Sequence, residues 1–239
     1  MKKVLNLIMS FALIIVGSNC FVYVAAAELS AVQRVKSPEW VEKLEAAKTS
    51  EQMIVVAGIG KTTATISMHE KNIEGNWEQI ISTPGFIGQN GLGPAREGAA
   101  YTPTGTFLID KAFGIADDPG CKMDYIKINN NHYWSGDTRT GMHYNEFIDI
   151  NDCPNLDKKN SEHIIDYLIP YQYCLNMGFN SECTLNAGSA FFLHCFGSKA
   201  PYTYGCVSVP REIMIVIMQA IKPGCVITID TLENFHGSI

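Results

Sequence analysis

The sequence predicts a β-rich α+β domain, on three observations. Short apolar or alternating stretches, bounded by Gly, Pro, Asn and Asp, recur along most of the chain. One stretch after Cys206 has clear helical periodicity, and no alternating βα rhythm is present. A chain of 239 residues, 46% hydrophobic and 18% charged, suits one globular domain, two at most. There is no internal repeat.

Residues 1–27 read as a secretory signal peptide. Lys2 and Lys3 open it, Val4 to Val16 is apolar, and Ala25-Ala26-Ala27 supplies the small residues before a cleavage site. The rival readings are a lipoprotein signal at Cys20, for which Asn19 is a poor neighbour, and an uncleaved anchor. No later stretch reaches the roughly 20 apolar residues of a membrane helix. Export to the cell wall, periplasm or medium is the expectation. Residues 28–52 form a leader, in which Ser37-Pro38 starts an amphipathic helix with Trp40, Val41, Leu44 and Ala47 on its apolar face. Residues 53–239 are the main domain.

Met53–Ala57 and Thr63–His69 read as a hairpin around a Gly-rich turn. Gly60-Lys61-Thr62 follows an apolar strand, as in a phosphate loop. Val55 stands where the required glycine belongs, and a strand follows instead of a helix, so nucleotide binding is rejected. Residues 77–105 are rich in Gly and Pro and read as turns, with a strand restarting in "TPTGTFLID". Residues 114–167 are irregular, with aromatics between turn signals. "GSAFFLHCFG" is a buried strand. "PREIMIVIMQAI" is the best helix, entered at Pro210 and stopped by Lys222-Pro223-Gly224. "CVITID" is the last strand.

The formal charge is −6, and about −8 without Lys2 and Lys3. With no basic stripe, nucleic acid is excluded as a partner. Cysteines number eight, seven after signal cleavage. Export permits disulfides, with Cys174–Cys183 the easiest pair and Cys195–Cys225 possible if two strands adjoin; one thiol is left over. No CxxC pair suggests zinc, and no cofactor or metal is expected.

His194 and Cys206 pose the functional question. They are either a thiol nucleophile with its base, or a core histidine and half of a disulfide. For catalysis, Gly205 allows a sharp turn before Cys206, and a helix starting near Pro210 favours thiolate if the sulfur lies close to it. Cys195 competes as nucleophile, but successive strand side chains point to opposite faces, so it should not face His194. Arg96 and Glu97 either contact a substrate carboxylate or amine, or form an exposed pair. Tyr133, Trp134 and Tyr144 either line a groove or build a small core. His132, His143 and His163 lack ligand spacing.

"SAFFLHCFG…TYGCVSVPREIM", with Thr102-Pro103-Thr104-Gly105-Thr106-Phe107 upstream, resembles the L,D-transpeptidase family of bacterial cell-wall enzymes, as a divergent member. The resemblance covers most of residues 53–230. It implies a mixed β-sandwich or barrel with one helix after the catalytic cysteine. It implies Cys206 as nucleophile, His194 as general base oriented by a backbone carbonyl, and Gly205 with Cys206 as the oxyanion site. The substrate would be a peptidoglycan stem peptide, joined through a Cys206 thioester to an amine, or trimmed if water is the acceptor. Tyr204 stands where better-known members carry a second histidine, and Ser208 where they carry arginine or asparagine. Tyr204, Ser208, Arg96, Thr102, Gly105 and Trp134 are the candidate substrate-binding residues. The other readings are a cysteine peptidase or carboxypeptidase on cell-wall peptides, and a disulfide-stabilised binding domain without catalysis.

Overall fold

A computed structural model describes residues 34–198 and 200–238. The predicted signal peptide lies outside the described residues. In chain order the elements are β1 (Val35–Lys36), α1 (Glu39–Glu42), α2 (Glu45–Thr49), β2 (Gln52–Gly58), β3 (Thr63–Lys71), β4 (Trp77–Phe86), β5 (Gly105–Leu108), β6 (Lys111–Gly114), β7 (Tyr125–Lys127) and β8 (His132–Trp134). They continue with β9 (Phe147–Asp149), β10 (Glu162–His163), β11 (Cys174–Asn176), β12 (Phe192–Cys195), β13 (Val207–Val209), α3 (Arg211–Ala220) and β14 (Val226–Thr231). Strands dominate, as the sequence predicts. No helix among the described residues is long and apolar enough to cross a membrane.

The main sheet runs β5-β14-β2-β3-β4-β13-β12-β11-β6-β7, with β1 beside β4; β10-β8-β9 form a small second sheet. Ile227 of β14 and Leu193 of β12 stand far apart in that order yet join one buried cluster, so the main sheet curls around its core. Met214, Ile217 and Met218 of α3 fill the same core. A second cluster lies on the other side of β11 and β12, where Cys174 and Phe192 meet Phe113, Trp134 and Tyr171. The irregular stretch thus carries the small sheet and roofs β12.

Three expectations are corrected. The strand β4 occupies residues 77–86, which read as turns because of Pro84 and Gly85. Pro84 pairs with Thr65 on one side only; β1 reaches β4 at Glu78 and Gln79, and β13 reaches it at Phe86. The missing N–H therefore falls on an unpaired stretch of edge. Gly85 is required there, since a Cβ would lie 2.1 Å from Ile66 Cδ1 and 2.6 Å from Ser208 O.

The leader helix breaks at Leu44, which is extended, with ψ 143°. An unbroken helix would set Val41 and Ala46 about 140° apart, whereas the break lets both reach one cluster with Met53 and Val55. Ser37 does not cap the helix; its Oγ bonds His69 Nδ1 at 2.8 Å.

The third correction concerns disulfides: all seven described cysteines are free thiols. Cys174 is buried in β11, and Cys195 and Cys225 belong to regions separated by β2, β3, β4 and β13 in the strand order.

Candidate active site

The strand β12 alternates. Leu193 and Cys195 enter the main core, while Phe192 joins the second cluster, so His194, two residues on, shares the face of Phe192. On β13, Val207 and Val209 enter the main core, which puts Cys206 and Ser208 on the opposite face. The two strands are parallel, with Leu193 beside Val207 and His194 beside Ser208. Parallel partners present their side chains to the same side. Cys206 therefore stands beside Phe192, on the face of His194 and two residues back along the neighbouring strand, about 8 Å between Cα atoms from strand spacing.

This face opens into a cleft of about 1000 Å³. His194, Cys206 and Ser208 line it, together with Tyr204 and Arg96. Cys206 is half-buried and reachable; His194 is 7% exposed. Cys195, the rival nucleophile, faces away and donates to Tyr173 O at 3.8 Å.

His194 Nδ1 lies 2.7 Å from Cys195 O. A carbonyl only accepts, so Nδ1 carries the proton and Nε2 keeps its lone pair. Burial pushes the imidazole down to about 4, slightly offset by that hydrogen bond. The Tyr171 ring packs edge-on, 5.4 Å from the imidazole. Cys206 Sγ donates to Ala190 O at 3.3 Å and accepts from Phe192 N–H at 3.4 Å. Burial, then the Glu162 carboxylate, push its thiol up to about 12. The pair is thus neutral imidazole and neutral thiol, with no direct hydrogen bond between them.

The expected helix-pole activation is corrected here. β13 intervenes between Cys206 and α3, so the helix start lies about 13 Å along the chain. That is beyond the reach of a dipole that fades within a turn.

The turn before Cys206 is built from two threonines. Thr203 Oγ1 donates to Cys206 O at 2.6 Å and accepts from Gly205 N–H at 3.2 Å. Thr102 Oγ1 donates to the same carbonyl at 3.1 Å and accepts from Gly88 N–H at 2.8 Å. Gly205 has φ +134°, and a Cβ there would lie 2.5 Å from Phe191 Cε1. Its N–H is engaged by Thr203, so Gly205 serves the turn. The glycine-rich stretch adjoins this turn, since Gly88 bridges Thr203, and it folds tightly on itself there: a Cβ on Gly88 would sit 2.4 Å from Ala100 O.

The structure does not gather the other candidates. Thr102 is buried and holds the Cys206 carbonyl instead of facing the cleft. Gly105 begins β5 and pairs with Ile229 at the edge of the sheet. Trp134 is 2% exposed in the second cluster and donates from Nε1 to Asn145 Oδ1 at 2.9 Å. Tyr133 is also core, and Tyr144 is buried with its hydroxyl on Glu97.

Sequence reasoning missed Glu162. It lies in the cleft wall and accepts from Tyr171 OH at 2.8 Å. Burial pushes its carboxyl up to about 7, against the Tyr171 hydrogen bond and assisted by Glu97. "NSEHIID" gives no motif for it; only the pairing of β10 with β8 brings it to the site.

No protein-family model matches the chain, and no curated protein matches it. Among solved structures, the chain is similar to the crystal structure of the helical cell shape determining protein Pgp2 from Campylobacter jejuni. The identity is 11% and the TM-score 0.41, over 76% of this chain and 48% of that one, so this chain spans about half the length of that structure.

Proposed function

We propose that the protein is exported and that its cleft performs acyl transfer through a thioester on Cys206, with His194 as general base, on cell-wall stem peptides. One observation carries the reading: His194 and Cys206 share one face of two adjoining parallel strands, and that face opens into the large cleft. The stem-peptide substrate rests on the motif resemblance around "FFLHCFG" and "TYGCVSVP".

The chemistry follows from the protonation states. His194 Nε2 takes the thiol proton as sulfur attacks a carbonyl, so charge separation arises only along the reaction coordinate. Gly205 N–H is bonded to Thr203, so the oxyanion falls to the remaining backbone N–H groups around Cys206. The leaving amine takes the proton from His194, and an amine or water then releases the acyl group. The exposed Tyr204, with Tyr167, Leu168 and Ile169 across the cleft, gives the substrate an apolar rim.

The test combines isolated stem tetrapeptides with the wild type, Cys206→Ala and His194→Ala. The expected result is an acyl adduct on Cys206 in the wild type, none in Cys206→Ala, and turnover lower by about a hundredfold or more in His194→Ala. A folded wild type that forms no adduct on Cys206 would sink the reading.

A further inference from the structure

We propose that Glu162 receives the acceptor as a cationic amine and takes its proton, so that the cleft favours transfer to amines over hydrolysis. The inference rests on the thioester reading above. It also goes beyond it, because nothing in that reading requires a carboxylate.

Glu162 has the placement for this task. One carboxylate oxygen is bonded by Tyr171 OH; the other, Oε1, has no protein hydrogen bond among the described residues, and the side chain lines the cleft. Tyr171 is itself fixed, stacked on Tyr167 at 4.6 Å and edge-on to Phe192 at 5.6 Å and His194 at 5.4 Å. The carboxylate and Cys206 line the same cleft, and its charge raises the thiol's proton affinity. An anion in the cleft opposes thiolate formation, so its presence is unfavourable for acylation and calls for another use. Glu97, Asp166, Arg96 and Lys159 line the same cleft, and Glu97 is occupied by Tyr144.

The acceptor ammonium gives one proton to the Glu162 carboxylate and becomes a neutral amine. Its lone pair attacks the thioester carbonyl, the carbon–sulfur bond breaks, and an amide forms. The second nitrogen proton passes through His194 to the departing sulfur, which restores the thiol. A carboxyl that titrates near neutrality can take and return this proton.

The test uses the purified protein acylated by p-nitrophenyl acetate, with the acetyl group located on Cys206 by mass spectrometry. Deacylation is then followed with Nα-acetyllysine, whose ε-amine is cationic at neutral pH, and with hydroxylamine, which is already neutral. In Glu162→Gln, which keeps an acceptor for Tyr171 OH, lysine aminolysis should fall about a hundredfold and hydroxylamine release should stay near wild type. Glu162→Asp should recover part of the loss. Tyr171→Phe should move the pH midpoint of lysine aminolysis upward, because the bond that favours the carboxylate is gone. Equal slowing with both nucleophiles, or no slowing, overturns the inference while leaving the thioester reading intact. Failure of the folded wild type to take the acetyl group on Cys206 overturns both.

Discussion

Gly205 and Cys206 show how little room single residues have at this site. Gly205 combines φ +134° with a Cβ position blocked by Phe191 and, at 3.1 Å, by Tyr101 O. Gly205→Ala should therefore cost about 1–3 kcal/mol, read as a lower urea midpoint, and should displace the sulfur. An unchanged midpoint would mean that the turn relaxes freely. Cys206 is held neutral, first by burial and then by Glu162, and only thiolate alkylates. Iodoacetamide at mildly alkaline pH should label Cys206 about a hundredfold or more slowly in the native protein than in urea. The peptide-resolved labelling rate should still be climbing at the alkaline end of the accessible range. Rapid native labelling at neutral pH would show a resting thiolate and contradict the neutral pair.

At the scale of elements, the site depends on a parallel β12–β13 pair joined by a loop in which no described residue is helical. Thr203 N–H donates to Ile87 O at 2.9 Å and Gln89 N–H to Thr203 O at 2.9 Å, so the segment after β4 anchors that loop. Thr203→Val removes the hydroxyl that serves Cys206 O and Gly205 N–H together. It should cost about 1–3 kcal/mol and slow acylation of Cys206, while Thr203→Ser should restore both. A Val variant as stable and as reactive as wild type would assign the turn to Thr102 alone.

The same elements mark what the sequence made legible. β2, β3, α3 and β14 follow from periodicity and flanking Gly and Pro, and residue type beside Gly205 singles out His194 and Cys206 as candidates. β4 was hidden, because Pro84 reads as a breaker unless its bare edge is known. Glu162 was hidden because a two-residue strand leaves no periodic trace. The leader break and the free thiols likewise depend on contacts between distant segments.

For the whole molecule, the buried histidines set the response to acid. His69 is fully buried between Ser37 and Ser67, each 2.8 Å from a ring nitrogen, and burial lowers it to about 4, as it does His194. Both folded values lie below the unfolded value of 6.5. Between about 4 and 6.5 the unfolded chain binds more protons, so each histidine's contribution is complete above that window and is lost as pH falls through it. The size is on the order of 3 kcal/mol per group. Glu162 has the opposite sign. Its folded value of about 7 exceeds the unfolded 4.5, so its contribution is present at low pH and declines as pH rises through 7. Asp137, held low by Arg139, and Glu70, held low by Lys222 and Arg34 against burial, lose their contributions only as pH falls below about 4.5. Burial lowers His132 as well, against the Asp149 charge, so three histidines oppose one carboxyl and stability rises with pH across the window. Urea midpoints should thus increase between about pH 4.5 and 6.5. His69→Gln should make that limb shallower, because one of the three histidine contributions is then gone. Glu162→Gln should steepen it. A His69→Gln protein with the wild-type slope would show that His69 is not held neutral by burial, and the rise would then rest on His194 and His132.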